Sequence, residues 1–160
     1  MNHPVLMQIL CEDSTTVDDW ADSITRWGAD ADQADFIIVR ESDGLDIGWV
    51  GLNCLLSQDH VPFIRMLAIL PDYWGMGYGT SALGKIKAIL ASRGFTCLRL
   101  WTDKCNERSQ RCYLRNGFKT IREERRVVGS ARRVMRDRIL MECSSPHDCA
   151  RHRNRGSGSG

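Results

Sequence analysis

Three glycines at alternate positions, Gly75, Gly77 and Gly79, follow an apolar stretch and a proline and precede a helical pattern, LAILPDYWGMGYGTSAL over residues 67–83. Without Cβ atoms there, successive backbone N–H groups can close on an anion where the next helix places its positive dipole end. The chemistry this predicts is the holding of a phosphorylated ligand. Gly77, Gly79 and Ala82 also satisfy G-x-G-x-x-A, with Asp103 closing the next apparent strand, the pattern of a dinucleotide fold. Such a domain opens with its glycine strand and continues through several βαβ units, whereas here a strand-rich region comes first and little chain follows. No Lys-Ser or Lys-Thr pair follows the glycines, which excludes a P-loop.

Downstream, NERSQRCYLRNGF over residues 106–118 predicts a short helix from Asn106 to Asn116, capped by Asn106, stopped by Gly117 and followed by a strand that Phe118 opens. Together the two motifs, L-A-I-L-P-x-Y-W-G-x-G-Y-G-T-x-A-L and N-x-x-S-x-x-x-Y-x-x-x-G-F, resemble the acetyl-coenzyme A binding core of the GNAT acyltransferase superfamily, in order and spacing, over residues 60–128. One departure is visible. The basic or amide residue that usually begins the loop is Trp74, a variant that resembles the branch acetylating ribosomal-protein N-termini and small amines.

The resemblance implies an α/β fold of the α+β kind: one domain with a mixed, mostly antiparallel central sheet flanked by helices. It implies acetyl-coenzyme A as acetyl donor, its pantetheine lying against the strand at Leu67, Ala68 and Ile69. The pyrophosphate would meet the backbone of Trp74, Gly75, Met76, Gly77, Tyr78, Gly79 and Thr80, with the Thr80 hydroxyl at the helix start. Asn106 would cap its helix and also bond the cofactor arm. Tyr113 matches the position that protonates the departing sulfur, and the Ile69 N–H, at a strand irregularity, would bind the developing oxyanion.

The elements that must hold these residues can be placed from periodicity. A short strand is predicted over Val5 to Leu10. Ser14 to Thr16 then cap a helix with the apolar face Val17, Trp20, Ala21, Ile24 and Trp27; Asp18, Asp19 and Asp22 stabilise its positive end. Phe36 to Arg40, the turn Ser42-Asp43-Gly44, Ile47 to Leu56 and Val61 to Ile69 read as an antiparallel meander. The helix after the glycines buries Ala82, Leu83, Ile86, Ile89 and Leu90 and stops at Gly94, and Phe95 to Thr102 is a central strand. Lys119 to Val128 and Arg132 to Cys143 pair across Gly129-Ser130. The domain is expected to span residues 1–143. Residues 144–160 read as a polar, disordered tail whose terminal GSGSG is a linker remnant.

With 160 residues, 42% hydrophobic and 26% charged, the chain suits one core. No apolar run is long enough for a bilayer, and Glu12 and Asp13 spoil a signal-peptide layout, so no membrane association and a cytoplasmic location are expected. Seven cysteines scattered singly read as reduced, mostly buried small hydrophobes. The net charge of +2 hides an asymmetry: through Asp46 there are eleven acids against Arg26 and Arg40, and beyond it nine acids against twenty bases. A polyanionic cofactor and an amine acceptor suit that polarity, although solvated ends account for it equally well.

Acetyl transfer to a primary amine, of a small molecule or a protein, needs a neutral nucleophile, an oxyanion donor and an acid for the thiolate, with no covalent enzyme intermediate. Glu41, His60 and Asp103 are candidate bases, none assigned. Cys97, Cys105 and Cys112 lack a His-Asp arrangement and read as buried structural thiols, which disfavours ping-pong chemistry. Cys143, His147, Cys149 and His152 are spaced too irregularly to predict a metal. The arginines at 122, 125, 126, 132, 133, 136 and 138 carry no interleaved aromatics, so solvated strand faces are preferred to a nucleic-acid surface. The alternative to an enzyme is a coenzyme A-binding or interaction module of the same fold with weak catalysis. Homodimers are common in the superfamily.

Overall fold

The computed structural model describes residues 28–59, 61–128 and 133–144, together with Asp22, Thr25 and Arg26. The predicted strand at Val5 to Leu10, the Gly129-Ser130 turn and residues 145–160 lie outside them, while Ser144, expected to begin the tail, pairs with Cys97 as a strand residue. Of the predicted first helix, Asp22, Thr25, Arg26 and Gly28 are described, and they are helical.

Segments rich in β-branched and apolar residues form β1 (Ala34–Val39), β2 (Asp46–Asn53), β3 (Phe63–Ile69), β4 (Cys97–Asp103), β5 (Lys119–Val128) and β6 (Val134–Ser144). They make one sheet in the order β1-β2-β3-β4-β6-β5. Every neighbouring pair is antiparallel except β3 and β4, which run parallel and are joined through α1 (Tyr78–Ser92). A second helix, α2 (Glu107–Arg115), links β4 to β5. The sheet is therefore mixed and mostly antiparallel, as expected, and among the described residues no helix is long and apolar enough to cross a membrane.

Period-two alternation fixes which face is covered. Leu98, Leu100 and Thr102 of β4 are buried, opposite Cys143, Met141 and Ile139 of β6. With Val50, Leu52 and Ile64 they pack against Leu83, Ile86 and Leu90 of α1, Tyr113 of α2 and Phe118. Ile89 is only half-buried, at the margin of the apolar stripe.

Two boundaries differ from the sequence reading for local reasons. The Asp32 carboxylate takes the N–H groups of Cys54 and Leu56 at 3.2 and 2.6 Å, and Cys54 turns to φ 59°, so β2 ends at Asn53. After α1, Gly94 adopts φ 88° and the Phe95 N–H returns to the Leu90 carbonyl, so the helix cap consumes Phe95 and β4 starts at Cys97.

The register shifts at three places among the described strands, at Ile38/Val39, Gly51/Leu52 and Thr120/Arg122, and the second shapes the site. Gly51 stands opposite Met66 and Leu52 opposite Ile64, which leaves Arg65 as an extra residue in β3. The β3–β4 ladder comprises only Phe63↔Arg99 and Ile64↔Leu100 and stops just before that bulge. Beyond it each strand keeps its outer partner, β3 with β2 to Ile69 and β4 with β6 to Asp103, while a gap opens between them.

Candidate active site

The gap is the mouth of a cleft of about 860 Å³ lined by residues from β3, the glycine loop, the end of β4 and α2. Its β3 edge follows from ladder alternation. The Leu70 N–H donates to the Ile47 carbonyl, so alternate residues of β3, Ala68 among them, address β2. Leu67 and Ile69 then turn their backbone groups toward the gap. Of the three β3 residues expected at the cofactor, Leu67 and Ile69 offer backbone partners and Ala68 offers a buried methyl wall. The strand irregularity expected at Ile69 lies instead at Arg65: Ile69 pairs in register with Gly48, and the bend that opens the gap is made four residues earlier.

The loop after β3 is built to leave N–H groups bare. A 3-10 turn over Pro71–Tyr73 leads to Trp74, whose indole Nε1 donates to the Ile69 carbonyl at 2.7 Å and ties the loop back to β3. Gly75 and Gly77 take φ values of 80° and 84°, in the left-handed region that favours glycine. Gly77 is the N-cap of α1 and provides no side-chain cap; the helix has no acid in its first turn. The first N–H groups of α1, those of Tyr78, Gly79 and Thr80, have no intrahelical acceptor, so a strong positive end faces the cleft. Gly79 allows α2 to approach, because a Cβ there would stand 3.3 Å from Cys112 Sγ, and Thr80 Oγ1 lies 3.6 Å from the same sulfur. Met76 is the exception in the loop: its side chain is exposed and does not line the cleft. Tyr73 braces the loop, with its ring edge against Tyr78 and Arg40 over its face at 5.1 Å.

On the facing wall, Asn106 Oδ1 accepts from the Ser109 N–H at 3.1 Å, the cap expected from its position. Tyr113 lies about two turns further on and lines the cleft while only 8% exposed, its ring tilted against Phe118 at 5.8 Å. Burial pushes its phenol up to about 12; the neighbouring Cys112 acts in the same direction, and Ser109 and the Arg138 charge pull the other way. The hydroxyl therefore stays protonated at neutral pH. Leu67, Ala68, Ile69, Trp74, Gly75, Gly77, Tyr78, Gly79, Thr80, Asn106 and Tyr113 thus share one cleft, and Met76 does not line it.

The candidate bases separate. Glu41 is exposed, bonded to Lys85 at 2.5 Å, which lowers its pKa, and it lines no part of the cleft. Asp103 lines the cleft, but Arg136 engages its Oδ2 and Arg138 lies 3.0 Å from its Oδ1, so it serves to hold the β6 arginines. His60 lies outside the described residues. The thiols are less buried than their composition suggested: Cys105 is exposed, Cys54, Cys97 and Cys112 are half-buried, and Cys143 alone among the described five is in the core. Cys97 is pushed up to about 11, chiefly by burial. Cys143 packs inside the sheet–helix core, which removes it from the tail cluster it seemed to begin.

A mixed sheet parted between its two parallel strands, above a bare helix N-terminus, is an arrangement with room and N–H donors for an extended phosphorylated ligand. A family model described as the acetyltransferase (GNAT) family matches residues 4–118, and the chain belongs to that family. An uncharacterized N-acetyltransferase of Methanocaldococcus jannaschii is 28% identical over 113 residues, 68% of this chain and 48% of the relative. The chain spans about half the length of the curated relatives it matches. Among solved structures, spermidine N-acetyltransferase from Vibrio cholerae, in complex with CoA and spermine, superposes with TM-score 0.77 at 15% identity, covering 90% of this chain and 85% of its own. The ribosomal-protein-S18-alanine N-acetyltransferase of Escherichia coli gives 0.64 at 19% identity over 88% and 86%. At these identities the likeness is one of fold.

Proposed function

We propose that this protein transfers an acetyl group from acetyl-coenzyme A to a primary amine, by direct attack within a ternary complex. The observation that carries the reading is the coincidence of three features in one cleft: the inner edge of β3 beyond its pairing with β4, the bare N-terminus of α1 and the protonated phenol of Tyr113. These residues fit the donor. An amide-bearing pantetheine arm finds backbone groups of Leu67 and Ile69, and a pyrophosphate finds the N–H groups of Tyr78, Gly79 and Thr80. When bound, the donor supplies an activated acyl group on sulfur.

The protein's part is positional and electrostatic. An N–H at the inner edge of β3, that of Leu67 or Ile69, faces the place where a thioester carbonyl lies and stabilises its oxygen as charge develops. Tyr113 holds a proton for the departing sulfur. A phenol near 12 facing an ordinary thiol near 8.5 donates uphill by several pKa units, yet the burial that raises the phenol raises a thiol in the same cleft and narrows the gap. Among the described candidates neither Glu41 nor Asp103 is placed as a base, and on this reading water takes the amine's proton. Spermine in one structural neighbour and a ribosomal-protein alanine in another share an amine and little else, so the amine is the common element carried over to the acceptor.

The test is thiol release from acetyl-coenzyme A across a panel of polyamines, amino acids, aminoglycosides and peptides. Amine-dependent release, with the acetylated amine found by mass spectrometry, is expected. A second reading, a coenzyme A-binding module with weak catalysis, is favoured by the elevated Tyr113 pKa alone; tight coenzyme A binding with no amine-dependent release would select it.

A further inference from the structure

The loop from Pro71 to Thr80 that faces the proposed pyrophosphate contains no lysine or arginine and one acid, Asp72. Backbone N–H groups alone leave a polyanion's charge poorly matched, so a cation must come from another element. One stands in the right place. The Arg108 guanidinium lies 4.1 Å from the centroid of the Trp74 ring, stacked on the residue that begins the glycine turn. Both residues line the cleft.

Three features separate Arg108 from an ordinary surface arginine. It has no carboxylate partner among the described residues; the adjacent Glu107 is taken by Arg111 at 3.1 Å. It occupies the first turn of α2, where a positive charge opposes the helix dipole and costs the helix stability. Its ring partner is itself fixed by the Trp74 Nε1 bond to Ile69, so the platform is rigid and the guanidinium is held over the loop.

Resting on the acetyl-coenzyme A reading, we infer that Arg108 is the side-chain cation of the phosphate cradle and that Trp74 is the platform that orients it. The loop provides donors, and α2 provides the charge. A planar guanidinium suits both tasks, because one face stacks on the indole while its edge N–H groups bond phosphate oxygens.

Calorimetric titration of the full chain with coenzyme A and with pantetheine, which keeps the arm and thiol but lacks phosphate, tests this. Arg108→Gln is expected to weaken coenzyme A binding by roughly tenfold or more while changing pantetheine affinity by less than about twofold. Arg108→Lys should recover part of the loss. Trp74→Leu should cost less than Arg108→Gln and should shrink the effect of Arg108→Gln made on top of it. Arg108 is exposed, so its replacements fold. Unchanged coenzyme A affinity in Arg108→Gln, or equal loss for both ligands, overturns this inference and leaves the acetyl-coenzyme A reading standing. Wild-type protein that binds no coenzyme A overturns both.

Discussion

Tyr113 does two jobs at once, packing in the core against Phe118 and presenting its hydroxyl to the cleft, and the two can be separated by experiment. Tyr113→Phe keeps the ring and removes the proton: kcat should fall by roughly 10²-fold or more, with the KM for acetyl-coenzyme A changed by less than about twofold. Steady-state kinetics on any accepted amine checks this. The same hydroxyl makes a pH signature in stability. Its folded pKa is raised to about 12 above an unfolded value near 10, so the folded state holds the proton more tightly. The contribution is complete below pH ~10 and is lost as pH rises toward 12, about 3 kcal/mol in all. The stability difference between wild type and Tyr113→Phe, from urea melts, should be flat to about pH 10 and then shift against the wild type. The residue's place was legible through the family resemblance of the 106–118 motif, since a lone helical tyrosine reads as readily as a core anchor. Its burial was not, because the core cluster it joins also draws on Leu83 of α1 and Met141 of β6, which the motif does not contain.

At the scale of elements, the site exists because β3 is bulged at Arg65 and leaves β4. No motif in the strand marks the extra residue, which emerges only when β2 and β3 are laid in register; an irregularity at Ile69 is what the family resemblance implies. The bulge is clamped from outside. Arg65 bonds Asp35 of β1 at 2.8 Å and lies over Trp49 at 5.2 Å, and a Cβ on Gly51 would stand 2.8 Å from both members of the pair. Further along, β2 approaches β3 so closely that a Cβ on Gly48 would lie 2.4 Å from the Ala68 carbonyl oxygen, a backbone atom that cannot move alone. Gly48→Ala should therefore cost about 1–3 kcal/mol and lower Tm by roughly 3–10 °C. It should also weaken coenzyme A binding, since the strand it displaces carries Leu67 and Ile69. At the other wall, Gly79→Val should push α1 from α2 through Cys112, and Cys112→Ala should relieve part of that loss in a double-mutant cycle read by thermal melts. A loss in Gly79→Val that Cys112→Ala leaves untouched would place the strain elsewhere.

For the molecule as a whole, the proposed donor half is readable from sequence because most of the contacts it would offer are backbone ones, and backbone geometry is written in glycines, a proline and a helix start. The opposite face is not. Its arginine strands seemed to lack aromatic partners, yet Arg122 and Arg126 lie over Trp101 at 5.4 and 4.8 Å, because Leu140 of β6 pairs with both Trp101 and Arg122 and brings distant positions into one row. Several of these arginines are also matched internally, Arg122 and Arg126 to Glu124, Arg125 to Asp137, and Arg136 and Arg138 to Asp103. Among the described residues the basic strands thus resolve into paired surfaces, with a local positive excess at the cleft. The central claim is that the gap between β3 and β4, closed below by α1, is the donor site. Its most direct test is amide hydrogen exchange with and without saturating desulfo-coenzyme A. The account predicts new protection at Leu67, Ile69 and the Tyr78–Thr80 amides; protection confined to other elements, or none at saturation, would contradict it.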